Sequence, residues 1–150
     1  MHETPQPTRI EVIARGVMFH EEHVLLCQNR KHGYYYLPGG HVEPGETAAT
    51  ALVREMHEEA AVDVDAGRVM RVEEHIFMQG GKARHEVNVY MVMNTTKDPR
   101  AIRSVEADIA FAWVAVREIE RADVRPAHAR GVISDAAGSA TLEWRSVTAR

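Results

Sequence analysis

Cysteine is almost missing from this chain: Cys27 stands alone among 150 residues. No intrachain disulfide can form, which points to a reducing, cytoplasmic setting, and Cys27 itself reads as a small buried hydrophobe. No apolar run approaches the ~18 residues of a membrane span, and the opening MHETPQPTR is polar and proline-containing, so neither a membrane nor export is expected. An excess of positive charge is also lacking. The 18 basic and 22 acidic residues leave a net charge of -4, which gives the chain no overall attraction to nucleic acid or to an acidic membrane. Internal repeats and low-complexity tracts are absent. What is present is 45% hydrophobic and 27% charged residues, the balance of one water-soluble domain with a core. We read residues 1–9 as a flexible tail, since Pro5, Pro7 and their polar neighbours offer little to bury, and 10–150 as a single domain.

Along that domain, RIEVIARGVMF and HVLLCQN are rich in β-formers and flank the charged HEE, which predicts a hairpin. YYYLPGG reads as a short strand entering a glycine loop. RVMRVEEHIFM and RHEVNVYMVM flank QGGK and predict a second hairpin. In its second strand Val87, Val89, Met91 and Met93 share a core face, while Glu86, Asn88 and Tyr90 share the other, which is free to look into a cleft. A polar connection, NTTKDPRAIRSVEAD, precedes a strand at IAFAWVAV and two short helices, near Arg117–Arg121 and Pro126–Ala137, with Pro126 suited to a first helical turn. Paired strands interrupted by helices predict an α+β fold, a mixed β-sheet sandwiched between helices.

From Thr47 to Ala60 there is neither glycine nor proline, and Ala48, Leu52, Met56 and Ala60 recur at a spacing of four, which predicts a helix. Its acids are oddly placed. Glu55 faces both Glu58 and Glu59, each like-charge pair costing about 0.2 to 0.5 kcal/mol. Glu58 and Glu59 also occupy the last turn, where the macrodipole opposes anions by roughly 0.3 to 1 kcal/mol each. By helical geometry Glu59 lies on the apolar arc and Glu55 at its edge, so at least one carboxylate is expected to be desolvated and to need a cation, a donor or a proton. Upstream, LPGGHVEPGE is a glycine-rich turn able to bring backbone groups close to an ion or phosphate, and Arg54 can pair two-pronged with Glu46.

These residues stand in the pattern G-x5-E-x7-R-E-U-x-E-E-x-G-U, where U is a bulky aliphatic residue. Gly40, Glu46, Arg54, Glu55, Met56, Glu58, Glu59 and Val62 fill eight of its nine fixed positions, and Ala61 stands where the pattern has glycine. The stretch resembles the box of the Nudix (MutT-like) hydrolases, over residues 40–62 with the preceding LPG. The departure bears on the helix exit: in a left-handed conformation alanine costs about 1 kcal/mol more than glycine.

A cluster of carboxylates with a backbone carbonyl is a hard oxygen site, suited to Mg²⁺ or Mn²⁺. The resemblance implies the same ions, held by Glu55, Glu58, Glu59 and the Gly40 carbonyl, with Glu46 and Arg54 as structural support. It implies hydrolysis of a phosphoanhydride in a nucleoside diphosphate linked to another group, the substrate being a small nucleotide such as a nucleoside triphosphate or nucleotide sugar. For the general base we favour Glu58, with Glu106 of RSVEAD as its rival. Tyr36, Arg84 and Asn88 are candidates for substrate contact; Tyr34, Phe111 and Trp113 read as stacking or core residues, and His41 and His57 as loop and exposed residues. Two other functions stay open: a non-catalytic nucleotide-binding regulatory module, and an RNA 5′-end pyrophosphohydrolase, which the net charge of -4 argues against. A homodimer stays open as well.

Overall fold

The computed structural model describes residues 4–138 and the backbone of 143–148. In chain order its strands are β1 (Glu11–Val17), β2 (Phe19–His20), β3 (His23–Asn29), β4 (Tyr35–Tyr36) and β5 (Gly39–His41). Helix α1 (Ala48–Ala60) follows, then β6 (Asp65–Gln79), β7 (Lys82–Asn94), β8 (Ile109–Ala115), α2 (Ala129–Gly138) and β9 (Glu143–Thr148), with short 3-10 helices at Pro99–Ala101 and Val116–Arg121.

A five-stranded mixed sheet runs β5-β1-β7-β6-β9. β1 pairs parallel to β7 and antiparallel to β5, and β6 pairs antiparallel to β7 and parallel to β9. The β6–β7 hairpin forms as its pattern predicts, because Gly80 and Gly81, at φ 56° and 75°, supply the two left-handed residues of a tight turn. A second sheet centres on β3, with β8 along one edge and β2 and β4 on the other.

The first predicted hairpin is corrected. The run ending at Phe19 is not one strand: the chain leaves the first sheet after Val17, and only Phe19 and His20 pair with β3. Both edges of β1 are already taken, by β7 from Glu11 to Val17 and by β5 from Ile13 to Arg15, so β3 has to build elsewhere. The two-residue turn between β2 and β3 is made by Glu21 and Glu22 at φ 47° and 61°, a conformation more often given to glycine or asparagine.

Each face of the main sheet carries a helix. α1 buries Ala51, Leu52, Met56 and Ala60 against Ala14, Met91 and Met93, where Leu25 of the second sheet joins them. α2 buries Ala129, Val132 and Ile133 against Met70 and Tyr90 on the opposite face. Phe111 and Trp113 pack at the α1 core, and the Trp113 Nε1–H donates to the Pro99 carbonyl at 3.1 Å, so both act as core residues. Cys27 is buried and free. Pro126 is also corrected: α2 starts three residues later, because Arg125 N–H donates to the Tyr35 carbonyl and holds the chain beside β4, and a residue before proline favours an extended backbone. Among the described residues no helix is long and apolar enough to cross a membrane.

Candidate active site

The loop from β5 to α1 is tied to the helix by one side chain. Thr47 starts the helix by accepting the Thr50 N–H at 3.1 Å. About two turns on, Arg54 donates through Nη2 and Nε to both oxygens of Glu46, at 2.7 and 3.1 Å, and through Nη2 to the His41 carbonyl at 3.0 Å. Glu46 in turn accepts the Glu43 N–H at 2.8 Å. This charge-assisted fork fixes the loop, and it holds the Glu46 carboxyl below the usual carboxylate range while raising the guanidinium further above its own.

Arg54 also reaches the cluster, donating through Nη1 to Glu55 at 3.1 Å and Glu58 at 3.3 Å. The expected mutual repulsion of Glu55 and Glu58 is therefore already offset by a cation within the helix. The Glu55 carboxyl lies over the Gly40 α-carbon so closely that a β-carbon there would sit 2.5 Å from its carboxyl carbon, so any side chain at this position would push the Glu55 carboxyl aside. Glu58 stands further out, with its side chain 56% exposed.

Glu59 is the carboxylate left over. It turns inward, and its Oε2 is buried with no hydrogen-bond partner among the described residues. Burial, then the charges of Glu55 and Glu106, push its pKa up to about 8, against the opposing pull of Arg15, and a hydrogen bond with Glu55 favours the protonated form further. The loop bearing Glu106 is docked here: the Val105 N–H donates to the Glu59 carbonyl at 2.8 Å, satisfying one of the helix's last carbonyls. Ala61 closes the helix in the left-handed conformation, φ 49° and ψ 36°, its N–H bonded to the His57 carbonyl at 2.9 Å. His57 is exposed and faces Asp63.

No three acidic, histidine or cysteine side chains already converge as an ion cage among the described residues. The donor set nonetheless fits a hard divalent ion: an unpartnered buried carboxylate oxygen on Glu59, Glu55 beside it, the Gly40 backbone beneath, and an exposed Glu58 at the rim.

The substrate candidates divide. Tyr36 and Asn88 line one narrow pocket with Arg15, Leu37, Glu86 and Tyr90. Arg84 is outside it, paired through Nη2 with both oxygens of Glu11 at 3.1 and 2.9 Å. Burial alone would raise the Glu11 carboxyl, but the His41 hydrogen bond at 3.0 Å and the charges of Arg84 and Arg9 hold it low. Tyr34 leans on Tyr36 with ring centroids 6.1 Å apart and carries the Arg125 guanidinium 4.4 Å above its ring. Arg15 escaped the sequence reading although it signals itself, being the one charge inside IARGVMF; it donates to the Leu37 carbonyl at 3.1 Å and acts on Glu59, Tyr36 and Tyr90.

With the mixed sheet flanked by helices and the loop-and-helix acid cluster in view, comparison with known proteins is direct. The NUDIX domain family model matches residues 10–134. The chain is 31% identical over 132 residues to a putative 8-oxo-dGTP diphosphatase 2 of Mycobacterium tuberculosis, covering 85% of this chain and 88% of that protein. It is 38% identical over 80 residues to the human 8-oxo-dGDP phosphatase NUDT18, 48% of this chain but only 25% of the relative, so it spans a quarter of that protein's length. The crystal structure of a MutT protein from Bacillus halodurans superposes with a TM-score of 0.67 at 16% identity, covering 91% of this chain and 90% of that one, a likeness of fold. The chain belongs to the MutT-like Nudix hydrolase family.

Proposed function

We propose that this protein hydrolyses a phosphoanhydride bond in a nucleoside triphosphate or a similar nucleoside diphosphate derivative, with a divalent Mg²⁺ or Mn²⁺ ion as cofactor. The observation that carries the reading is the buried Oε2 of Glu59, without a hydrogen-bond partner among the described residues, beside Glu55, whose carboxyl is packed on Gly40. The name of the Mycobacterium tuberculosis relative supports the nucleoside triphosphate class.

Glu55, Glu58, Glu59 and the Gly40 carbonyl would hold the ion. When bound, it neutralises phosphate charge, orients the phosphates and acidifies a coordinated water. Arg54 and Glu46 keep helix and loop in register, so that Glu55 stays over Gly40. Arg15 brings a positive charge between the cluster and the pocket, where it can meet a phosphate oxygen. Glu58 accepts the proton of the attacking water at Oε1, the oxygen that Arg54 leaves free; Glu106, beside Glu59, is the rival base.

The test is pyrophosphate or phosphate release from nucleoside triphosphates, ADP-ribose, nucleotide sugars and dinucleoside polyphosphates, with Mg²⁺, Mn²⁺ or EDTA. Metal-dependent turnover of one class is expected, and it is lost in Glu59→Gln. Comparing the pH–rate profiles of Glu58→Gln and Glu106→Gln at saturating Mg²⁺ identifies the base as the residue whose loss removes the acidic limb. A folded protein silent across the whole panel would refute the enzymatic reading.

A further inference from the structure

The second sheet stops at β8, a strand that among the described residues pairs in a ladder with β3 and with no other strand. At the two ends of that ladder the Val116 N–H donates to the Glu22 carbonyl at 2.9 Å and the Arg30 N–H to the Asp108 carbonyl at 3.0 Å. In an antiparallel pair every second residue bonds to the neighbouring strand, so these two bonds fix the alternation. Ala110, Ala112 and Val114 turn their N–H and C=O groups to β3, while Ile109, Phe111, Trp113 and Ala115 turn theirs outward. The Ile109 carbonyl accepts Arg30 Nε at 3.3 Å. Among the described residues no hydrogen bond reaches the backbone of Phe111, Trp113 or Ala115.

An open edge of this kind is a template for another strand, and proteins commonly guard it with charge, proline or a bulge. β8 has none of these. Its sequence, IAFAWVA, contains neither a charge nor a proline, and its pairing with β3 runs from Ile109 to Ala115 without a shift of register. Phe111 and Trp113 are anchored in the α1 core and Val114 packs in the α2 core, so the strand is already held in the conformation that pairing requires. Every residue from Ile109 to Ala115 is half-buried. Both faces of β8 are therefore largely covered, and what it has left to offer is its edge.

We propose that this edge is the interaction surface for a second copy of the chain, β8 pairing antiparallel with β8 about a two-fold axis at Ala112. The strand's own order selects a copy of itself. With the axis at Ala112, Ile109 meets Ala115 of the second copy and Phe111 meets its Trp113, so all four outward-facing positions find partners; an axis at Phe111 or Trp113 leaves one end of the strand unpaired. At the axis the two Ala112 residues stand at the narrow spacing, about 4.5 Å between α-carbons, where small side chains fit. The charges beyond the strand also match. Exposed Asp108 lies just before β8 and exposed Arg117 just after it, so antiparallel pairing brings each beside the other's counterpart; within one chain the ion pair of Arg117 with Glu118 is a long 3.8 Å. The two second sheets become one, and the loop carrying Glu106, which runs straight into β8, is tied down at its far end. The contact is isologous and closes as a dimer. It requires no assumption about the substrate.

The experiment is sedimentation velocity of the whole protein at concentrations up to about 100 μM, where an association of micromolar Kd is largely complete. Wild type is expected to move from the mass of one chain to that of two. Ala115 has φ −58°, which proline adopts, and its N–H has no partner among the described residues, so Ala115→Pro should keep the fold, checked by its melting curve, and weaken the dimer about tenfold or more. Register is read by disulfide cross-linking with diamide as oxidant, Cys27 being buried. Ala112→Cys should link two chains, because its α-carbons fall within disulfide reach, whereas Ala110→Cys should not, its two copies lying about 14 Å apart along the strands. The cross-linking pair does not depend on the proline variant, so a folding defect in Ala115→Pro leaves the proposal open to refutation. Wild type that keeps the mass of one chain throughout, a folded Ala115→Pro that dimerises like wild type, or Ala110→Cys linking as readily as Ala112→Cys would each overturn it.

Discussion

Replacing Glu59 with glutamine should make the metal-free protein more stable. The glutamate's pKa is moved from 4.5 to about 8. Between those values the folded state holds a proton that the unfolded state has released, so stability falls as pH rises through the window. At pH 7 the distance from 4.5 is about 2.5 pH units, which at ~1.36 kcal/mol each is a gross cost of roughly 3 kcal/mol. Glu59 is only partly buried, and solvent screening reduces this to about 1 to 2 kcal/mol. Glutamine keeps the shape and removes the charge. In EDTA at pH 7 the melting temperature of Glu59→Gln should exceed that of wild type by ~2 to 8 °C. At pH 5, only half a unit above the ordinary value, the advantage should nearly vanish. Mg²⁺ should raise the Tm of wild type and leave the variant almost unmoved, since a ligand stabilises only the state that binds it. Scanning calorimetry at both pH values, with and without Mg²⁺, decides. A variant less stable than wild type in EDTA, or an advantage unchanged at pH 5, would refute the reasoning.

Three further outcomes follow from the geometry. Gly40→Ala places a β-carbon 2.5 Å from the Glu55 carboxyl carbon and should lower kcat/KM at least tenfold while the far-UV circular dichroism stays native. Ala61→Gly relieves a left-handed alanine and should raise the Tm by ~2 to 4 °C, for about 1 kcal/mol gained. His75 is buried beside His128 and stacked on Phe77, and burial first, then His128, lowers its pKa from 6.5 to about 4. In that window the unfolded state binds the extra proton, so this group's contribution is lost as pH falls from 6.5 towards 4. His75→Phe should flatten that limb of a Tm-against-pH curve; a limb of unchanged slope would show that other groups set it.

How much of this could be seen in the sequence depended on whether the deciding contact was local. Helix α1 was legible because its spacing, its lack of glycine and proline and its Thr47 cap all lie within one stretch. The β6–β7 hairpin was legible because Gly80-Gly81 carries its own turn geometry. The break after Val17 was not, since it is forced by partners at Gly39–His41 and Glu86–Val92, far away in sequence. Pro126 misled for the same reason: a backbone bond from Arg125 to Tyr35, ninety residues upstream, keeps it out of the helix. Within the site, the acids were visible through the box, and the inward turn of Glu59 followed from helical geometry. The charge balance did not follow. Arg54 was read as a clamp on Glu46 alone, although its four-residue spacing to Glu58 already allowed a second role. Arg15 was hidden as a single charged residue in a strand, because nothing in a strand's own sequence shows which cross-strand neighbours it meets.

The position of Arg54 changes what it means for this protein to choose an ion. A tethered guanidinium already in hydrogen-bonding contact with Glu55 and Glu58 acts as a competitor present at high effective concentration. Under the proposed function an arriving cation would be exchanged for it, so the net gain would be the difference between two cations and not the full attraction of the acids. A monovalent ion offers no advantage over the resident charge. The divalent ion of the proposed function would, and it would also reach Glu59, with which Arg54 makes no hydrogen bond among the described residues. If the proposed site takes Mg²⁺ or Mn²⁺, its own arginine would thus disfavour alkali cations, at the expense of tighter divalent binding.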